Sequence, residues 1–202
     1  MTHRTVISRG LLGAASALAL FAACHDATGV VGGTPRAALL ALPRVDSVDP
    51  TSPLSCNVRE NQLTTCSITH PDVSGTLFAT FHFPAFSLNS VNGVLICDSC
   101  VVAVTVTVTP GLYGFTVTPS SLTFIPGQSA TVDVSYAKYG DLAVFDSSAR
   151  YPTDTAYDTA LELWWERNPG RWIEVSGSAH SAAHVVTAPL HDPGAFLIAA
   201  PR

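Results

Sequence analysis

Five cysteines have the clearest chemical potential in this 202-residue sequence: Cys24, Cys56, Cys66, Cys97 and Cys100. Cys97 and Cys100 have the C-x-x-C spacing of redox-active dithiols. Those motifs activate a cysteine at a helix N-terminus, whereas the segments on both sides of this pair are typical of strands.

A four-cysteine zinc site is also disfavoured, because Cys56 and Cys66 are too far apart in sequence to form a zinc knuckle. We therefore expect neither redox catalysis nor a metal centre.

Three histidines lie near the C-terminus, at His180, His184 and His191, and Asp192 follows the last of them. His180 and His184 would share one face of a strand, and neutral imidazoles are good metal ligands. No cysteine or glutamate stands at a spacing that would complete a ligand set. The pattern favours surface histidines, with no metal and no other cofactor.

Four aspartates bracket a polar segment between residues 141 and 158. Clustered carboxylates on a loop can bind calcium, but their spacing matches no calcium-loop motif. A solvated acidic loop is the expected structure. The four are Asp141, Asp146, Asp154 and Asp158.

Trp164 stands between two carboxylates, Glu162 and Glu166, on the strand face opposite to residues 161, 163 and 165. If the latter face is the core, Trp164 is exposed, and with Tyr151 or Tyr157 it would form a ligand surface suited to a sugar ring. The alternative is that Trp164 packs under the loop 146–158 or on a neighbouring domain. Glu162 and Glu166 would be about 13 Å apart along the strand. That separation exceeds the ~5–9.5 Å of a glycosidase pair.

Enzyme motifs and basic patches are missing from the sequence. It contains no Gly-x-Ser-x-Gly elbow and no glycine-rich phosphate loop. The formal net charge is −5 and Lys138 is the single lysine, so nucleic acid is not an expected partner. We expect a protein that is not an enzyme.

The N-terminus carries an export pattern. Arg4 and Arg9 precede an apolar run over residues 10–23, too short to span a bilayer but suited to a signal peptide. The run ends in Ala22-Ala23-Cys24, which resembles the lipobox of bacterial lipoproteins. The resemblance implies cleavage after residue 23, lipid attachment at Cys24 and membrane anchoring by the acyl chains. His25 rather than aspartate follows, which leaves the outer membrane or cell surface open as the destination of this cell-envelope protein.

Export also bears on the other four cysteines, since oxidising compartments favour disulfides. Four cysteines allow three pairings. We expect Cys56–Cys66 and Cys97–Cys100, because Cys56 and Cys66 flank a turn at residues 60–62 with arms of equal length. In a hairpin those arms would place the two residues opposite each other.

Beyond the signal, the pattern predicts a flexible linker over residues 24–44, with a short helix at 36–42 as an alternative within it, and an all-β domain over 45–202. Residues 102–109 alternate between apolar residues and threonine, and residues 131–136 repeat the alternation, as half-buried strands do. Turn signals follow at short intervals, including Asn92-Gly93 and Pro126-Gly127. The expected fold is an antiparallel β-sandwich. Further candidate strands are 64–69, 76–83, 91–97, 114–118, 121–125, 142–145, 160–166, 171–175, 184–188 and 194–199.

Part of this pattern is similar to known modules. Residues 115–132 resemble the strand-turn-strand of bacterial immunoglobulin-like domains. Residues 161–165, 172–175 and 186–191 look like the aromatic hairpin and closing strand of ZU5-like β-sandwich modules. The resemblance covers residues 101–200, implies a fold and brings no catalytic residues. Residues 45–100 are either the first strands of the same sandwich or a small subdomain beside a sandwich over 101–202.

Together these patterns predict a non-enzymatic cell-envelope lipoprotein whose sandwich serves a structural or protein-interaction role. The alternative is a carbohydrate- or ligand-binding module. Expected partners are the membrane, through the lipid anchor, and other envelope proteins or glycans.

Overall fold

Antiparallel strands make up most of the structure, a computed structural model that describes residues 32–45, 49–144 and 150–202. Short 3₁₀ turns occur at Arg36–Ala38 and Leu142–Val144, and one α-helix, α1, covers Asp154–Thr159 in the described chain. The strands are β1 (Thr34–Pro35), β2 (Leu39–Ala41), β3 (Leu54–Arg59), β4 (Thr64–Thr69), β5 (Leu77–Phe83), β6 (Leu88–Val91), β7 (Val94–Leu95), β8 (Val101–Val108), β9 (Gly114–Thr118), β10 (Thr123–Phe124), β11 (Ala130–Ser135), β12 (Glu162–Asn168), β13 (Arg171–Glu174), β14 (Ala179–Ser181), β15 (Val185–Leu190) and β16 (Gly194–Pro201).

Two of the three sheets enclose the core. The larger has the order β1-β13-β12-β16-β9-β8-β3, with β2 also pairing with β16, and the second has the order β14-β15-β11-β5-β4. A small third sheet has the order β10-β6-β7. Phe81 of β5 meets Phe115 of β9 edge to face, with ring centroids 5.2 Å apart, so side chains of both large sheets share one core. The prediction of an all-β antiparallel sandwich is confirmed.

Alternation of side chains explains the best-defined strands. Val104 and Val106 of β8 are fully buried, as are Val132 and Val134 of β11, whereas the intervening threonines and aspartate remain accessible. Successive side chains of a strand point to opposite faces, so a valine at every second position supplies a continuous apolar face. Each such face is the inner face of its sheet.

The N-terminal part of the sandwich corrects the predicted linker. Residues 34–44 belong to the fold: Leu40 and Leu42 enter the main core, and Leu39 and Ala41 pack on the opposite face of the larger sheet. Within the apolar run at 37–42, Leu39–Ala41 form the buried strand β2 and Leu42 is buried directly after it. The predicted flexible linker over 24–44 is therefore wrong for residues 34–44. Residues 24–31 lie outside the described residues.

Residues 45–100 contribute to both large sheets. β3 pairs with β8 in the larger sheet, and β4 and β5 pair with each other in the second. The described residues from 32 to 202 form one compact unit. The proposed subdomain boundary at residue 100 therefore falls inside the sandwich.

Two predicted strands differ from the structure. Residues 142–144 form a 3₁₀ turn, and the strand predicted at 91–97 is interrupted at Asn92-Gly93, where both residues have positive φ and reverse the chain between β6 and β7. Within the described residues, no helix has the length and apolar character that a membrane span requires.

Candidate functional site

A pocket of about 210 Å³ opens between the larger sheet and β15. Its walls are mostly apolar, and its polar lining residues, Ser176, His191 and Asp192, are exposed. Trp165 is central to it, because this residue of β12 lies directly opposite Ile173 on one neighbouring strand and Phe196 on the other. The apolar lining consists of Trp165, Ile173, Val175, Pro189 and Phe196.

The position of the Trp165 ring depends on the turn that precedes β16. Trp165 Nε1 donates a hydrogen bond to the carbonyl of Pro193 at 3.2 Å. Gly194 has a φ of +131°, and a Cβ at that position would lie 2.9 Å from Trp165 Nε1. A side chain at residue 194 would be strained and would displace the indole. This glycine therefore fixes the shape of the pocket.

His191 and Asp192 follow β15 and line the same pocket. His191 Nδ1 lies 3.0 Å from Ser129 Oγ, which ties the imidazole to the neighbouring loop. Glu174 also borders the pocket, but it alternates along β13 with Ile173 and Val175. Its carboxylate is therefore directed to the other face of the sheet.

A second group of polar side chains joins α1 to the second sheet. Tyr136, which follows β11, donates its hydroxyl proton to Asp158 of α1 at 2.8 Å, and His184 Nδ1 lies 3.2 Å from the same carboxylate oxygen. His180 Nε2 lies 2.5 Å from the Tyr136 hydroxyl oxygen. Since that hydroxyl gives its single proton to Asp158, Nε2 of His180 is the donor in this contact.

We call Tyr136, Asp158, His180 and His184 the Tyr136 cluster, and its hydrogen bonds connect α1 to the second sheet. Burial, with the adjacent Asp158, raises the pKa of Tyr136 far above its usual value, so the phenol remains a hydrogen-bond donor. The prediction that His180 and His184 share one strand face is wrong, because His180 lies in β14 whereas His184 lies in the turn before β15 with a positive φ. The two side chains nevertheless both approach Asp158. Among the described residues, no group of three His, Cys, Asp or Glu side chains is arranged to hold a metal ion.

Tyr136→Phe should lower the free energy of unfolding by about 1.5–3 kcal/mol, because it removes a buried hydrogen bond to a carboxylate. Urea denaturation followed by circular dichroism measures the change. Tyr151→Phe is the matched control, since it removes a bond to the neutral carbonyl of Pro201, and it should cost only about 0.5–1.5 kcal/mol. Equal losses in the two variants would argue against a special role for Asp158.

The ligand surface predicted from Trp164, Tyr151 and Tyr157 is not formed. Trp164 is only 5% exposed, and its Nε1 donates to the carbonyl of Ala199 at 3.0 Å. Tyr151 and Tyr157 are also buried, and their hydroxyls donate to the backbone carbonyls of Pro201 and Leu40. The prediction of exposure is wrong, because Trp164 packs in a second apolar cluster on the outer face of the larger sheet. Its other buried members are Leu39, Ala41, Trp172, Leu197 and Ala199.

The carboxylates on either side of Trp164 have separate roles. Glu166 accepts a hydrogen bond from the backbone N–H of Gly170 and closes the β12–β13 turn. Glu162 has one buried carboxylate oxygen without a hydrogen-bond partner among the described residues, and burial raises its pKa. They do not act as a pair.

The predicted acidic loop likewise divides. Asp141 accepts from the backbone N–H of Ala143, and Asp154 lies in the first turn of α1. Asp158 is 9% exposed in the Tyr136 cluster. Asp146 lies outside the described residues. The other three carboxylates have separate surroundings and are not arranged as one metal site.

Both expected disulfides are present, Cys56–Cys66 and Cys97–Cys100. The hairpin expected for the first pair is wrong, because β3 and β4 belong to opposite sheets. The Cys56–Cys66 bond is therefore a covalent link between the two halves of the sandwich. Cys97–Cys100 closes a turn between β7 and β8, with Cys100 N–H donating to the Cys97 carbonyl at 2.8 Å.

Comparison with protein-family models, with curated proteins and with solved structures gives no match. Candidate binding surfaces are therefore identified from the exposed residues of the chain itself.

Among the described residues, several exposed large apolar side chains lie together beside the second disulfide. Val94 and Leu95 of β7 are 70% and 76% exposed, and Val101 at the start of β8 is 51% exposed. They border a shallow groove of about 360 Å³, which we call the β7–β8 groove. Within the described residues β7 pairs only with β6, so its other edge is free. The remaining lining is Val91, Ile96, Cys100, Val102, Ala103 and Pro119.

Proposed function

We propose that this chain is a lipid-anchored protein of the bacterial cell envelope whose non-enzymatic sandwich binds another envelope protein. The observation that carries the interaction role is the β7–β8 groove, where exposed apolar side chains adjoin a free strand edge. Large contiguous apolar patches are uncommon on the surfaces of monomeric proteins and mark interaction sites. The anchor rests on the lipobox-like sequence that ends at Cys24, which lies outside the described residues.

The chemistry of the groove favours one kind of occupant, an extended apolar segment of a protein partner. A free strand edge offers unpaired backbone N–H and C=O groups, and an added strand satisfies them while its alternate side chains enter the groove. The Cys97–Cys100 bond fixes the turn between the two strands that border the groove. Such a pre-formed surface orders little on binding, which lowers the entropic cost of association.

Cys24→Ser should move the protein from the membrane fraction to the soluble fraction of the envelope, because serine has no thiol that could form the thioether to diacylglycerol. Intact mass of the membrane-bound wild-type protein should show cleavage before Cys24 and the added lipid. A mature protein without acyl chains would contradict the anchor.

The groove is tested by photo-crosslinking in living cells with a photoreactive amino acid at Leu95. The matched control is Val73, an exposed apolar residue of the β4–β5 turn outside the groove. We expect a discrete adduct from position 95 and none from position 73, and Val101→Thr should reduce it. Equal adducts at both positions, or none from position 95, would contradict the proposal.

A further inference from the structure

We propose that the Trp165 pocket is a binding site for a single aromatic ring with a positively charged substituent, an arylalkylamine-like group. This site is separate from the β7–β8 groove, and it does not depend on the protein-binding role proposed above. The inference rests on the size of the pocket, the nature of its walls and the charge of its lining.

Size limits the ligand to about one ring. Apolar cavities of about 150 Å³ are known to bind benzene, and this pocket has about 210 Å³. Pockets for larger organic ligands start near 300 Å³. A phenyl ring with a two-carbon substituent fits these limits.

The walls favour an aromatic ring over a sugar. Trp165 and Phe196 offer two aromatic side chains, and Ile173, Val175 and Pro189 complete an aliphatic lining. Phe196 also stacks on Phe115 at 5.1 Å, so its ring is held from behind by the core. A sugar would press hydroxyl groups against these walls without partners, which is unfavourable. An aromatic ring has no hydroxyl groups that would be left without hydrogen-bond partners, and it gains stacking contacts with Trp165 and Phe196.

Charge selects the substituent. Of the residues that the structure describes, the ionisable side chains that can face the ligand are His191 and Asp192, both exposed, and none of the lining residues is a lysine or arginine. Asp192 favours a cation beside the ring. A carboxylate on the ligand would be repelled by the same group and would find no basic partner in the lining.

The test compares three ligands that share a phenethyl group: phenethylamine, 2-phenylethanol and 3-phenylpropionate. Binding to the full-length protein, with both disulfides formed, is followed at pH 8 by NMR. The observed signal is the indole N–H of Trp165, which is assigned by its loss in the Trp165→Phe variant. We expect the amine to bind about two- to fivefold tighter than the alcohol, the gain of a solvent-exposed ion pair. The propionate should bind most weakly.

Variants separate the site from nonspecific binding. Asp192→Asn should bring the affinity for the amine down to that for the alcohol, whereas Asp98→Asn, an exposed acid of the Cys97–Cys100 turn outside the pocket, should change nothing. Ile173→Phe, which fills the pocket, should abolish binding of all three ligands. The proposal is overturned if no ligand shifts the Trp165 signal, or if the propionate binds as tightly as the amine. It is equally overturned if methyl β-glucoside binds while the three aryl compounds do not.

Discussion

Replacement of Trp164 by alanine is expected to lower the free energy of unfolding by about 3–5 kcal/mol, the range for truncation of a buried aromatic residue. Trp164 is 5% exposed and packs against Leu197 and Ala199 of β16 and against residues of β2. The variant would also leave the carbonyl of Ala199 without its indole donor. Chemical denaturation of the purified domain, monitored by far-ultraviolet circular dichroism, measures the loss.

A conservative variant separates packing from the hydrogen bond. Trp164→Phe keeps a ring in the outer cluster but removes the N–H group, so it should cost clearly less than alanine. If Trp164→Ala changed the stability by less than about 0.5 kcal/mol, as substitutions at ordinary surface positions do, Trp164 would be exposed. The ligand surface predicted from the sequence would then be open to test again.

The error over Trp164 shows what strand alternation can and cannot predict. Alternation placed Leu163 and Trp165 on the core face correctly: Leu163 lies in the main core, and Trp165 is partly buried and packs against it. It could not show that the opposite face is also covered, because that depends on β2 pairing with β16 from more than 150 residues away. Because this sheet has buried apolar clusters on both faces, alternation alone does not show which face is exposed to solvent.

The same limit applies to the polar sites. The sequence predicted that His180 and His184 share a strand face, but His184 lies in the turn after β14, and their partners Tyr136 and Asp158 come from other elements. Long-range polar contacts of this kind have no local spacing signal. The Trp165 pocket was missed for a similar reason, since its walls come from β12, β13, β15 and β16. The one local signal was Gly194, a glycine at the start of an otherwise apolar strand.

Predictions from the sequence were correct where they concerned alternation within a single strand or covalent bonds between cysteines. The alternation in β8 and β11 predicted their buried faces, and the even number of cysteines beyond Cys24 predicted two disulfides. The equal arms around residues 60–62 gave the right pairing of Cys56 with Cys66 through the wrong geometry. Equal arms bring two residues together in a hairpin and also in an arch that connects two sheets, and only the partners of each strand distinguish the two.

Removal of the Cys56–Cys66 bond by the double variant Cys56→Ala/Cys66→Ala is expected to cost roughly 3 kcal/mol. The bond closes a loop with a sequence separation of 10, and chain entropy in the unfolded state gives this magnitude for a loop of about that length. It also joins β3 of the larger sheet to β4 of the second, so its loss frees the two sheets to separate at this end. Denaturant unfolding of the oxidised proteins measures the difference.

The Cys97–Cys100 bond provides the matched control within the same chain. It has a sequence separation of only 3 and joins the ends of one turn, so Cys97→Ala/Cys100→Ala should cost roughly 2 kcal/mol by the same relation. Cys56 is 1% exposed and packs in the main core, so the first variant also loses buried contacts that the second keeps. The order of the two losses is therefore the decisive result. A larger loss from the turn disulfide would contradict the role of Cys56–Cys66 as the bond that holds the sheets together.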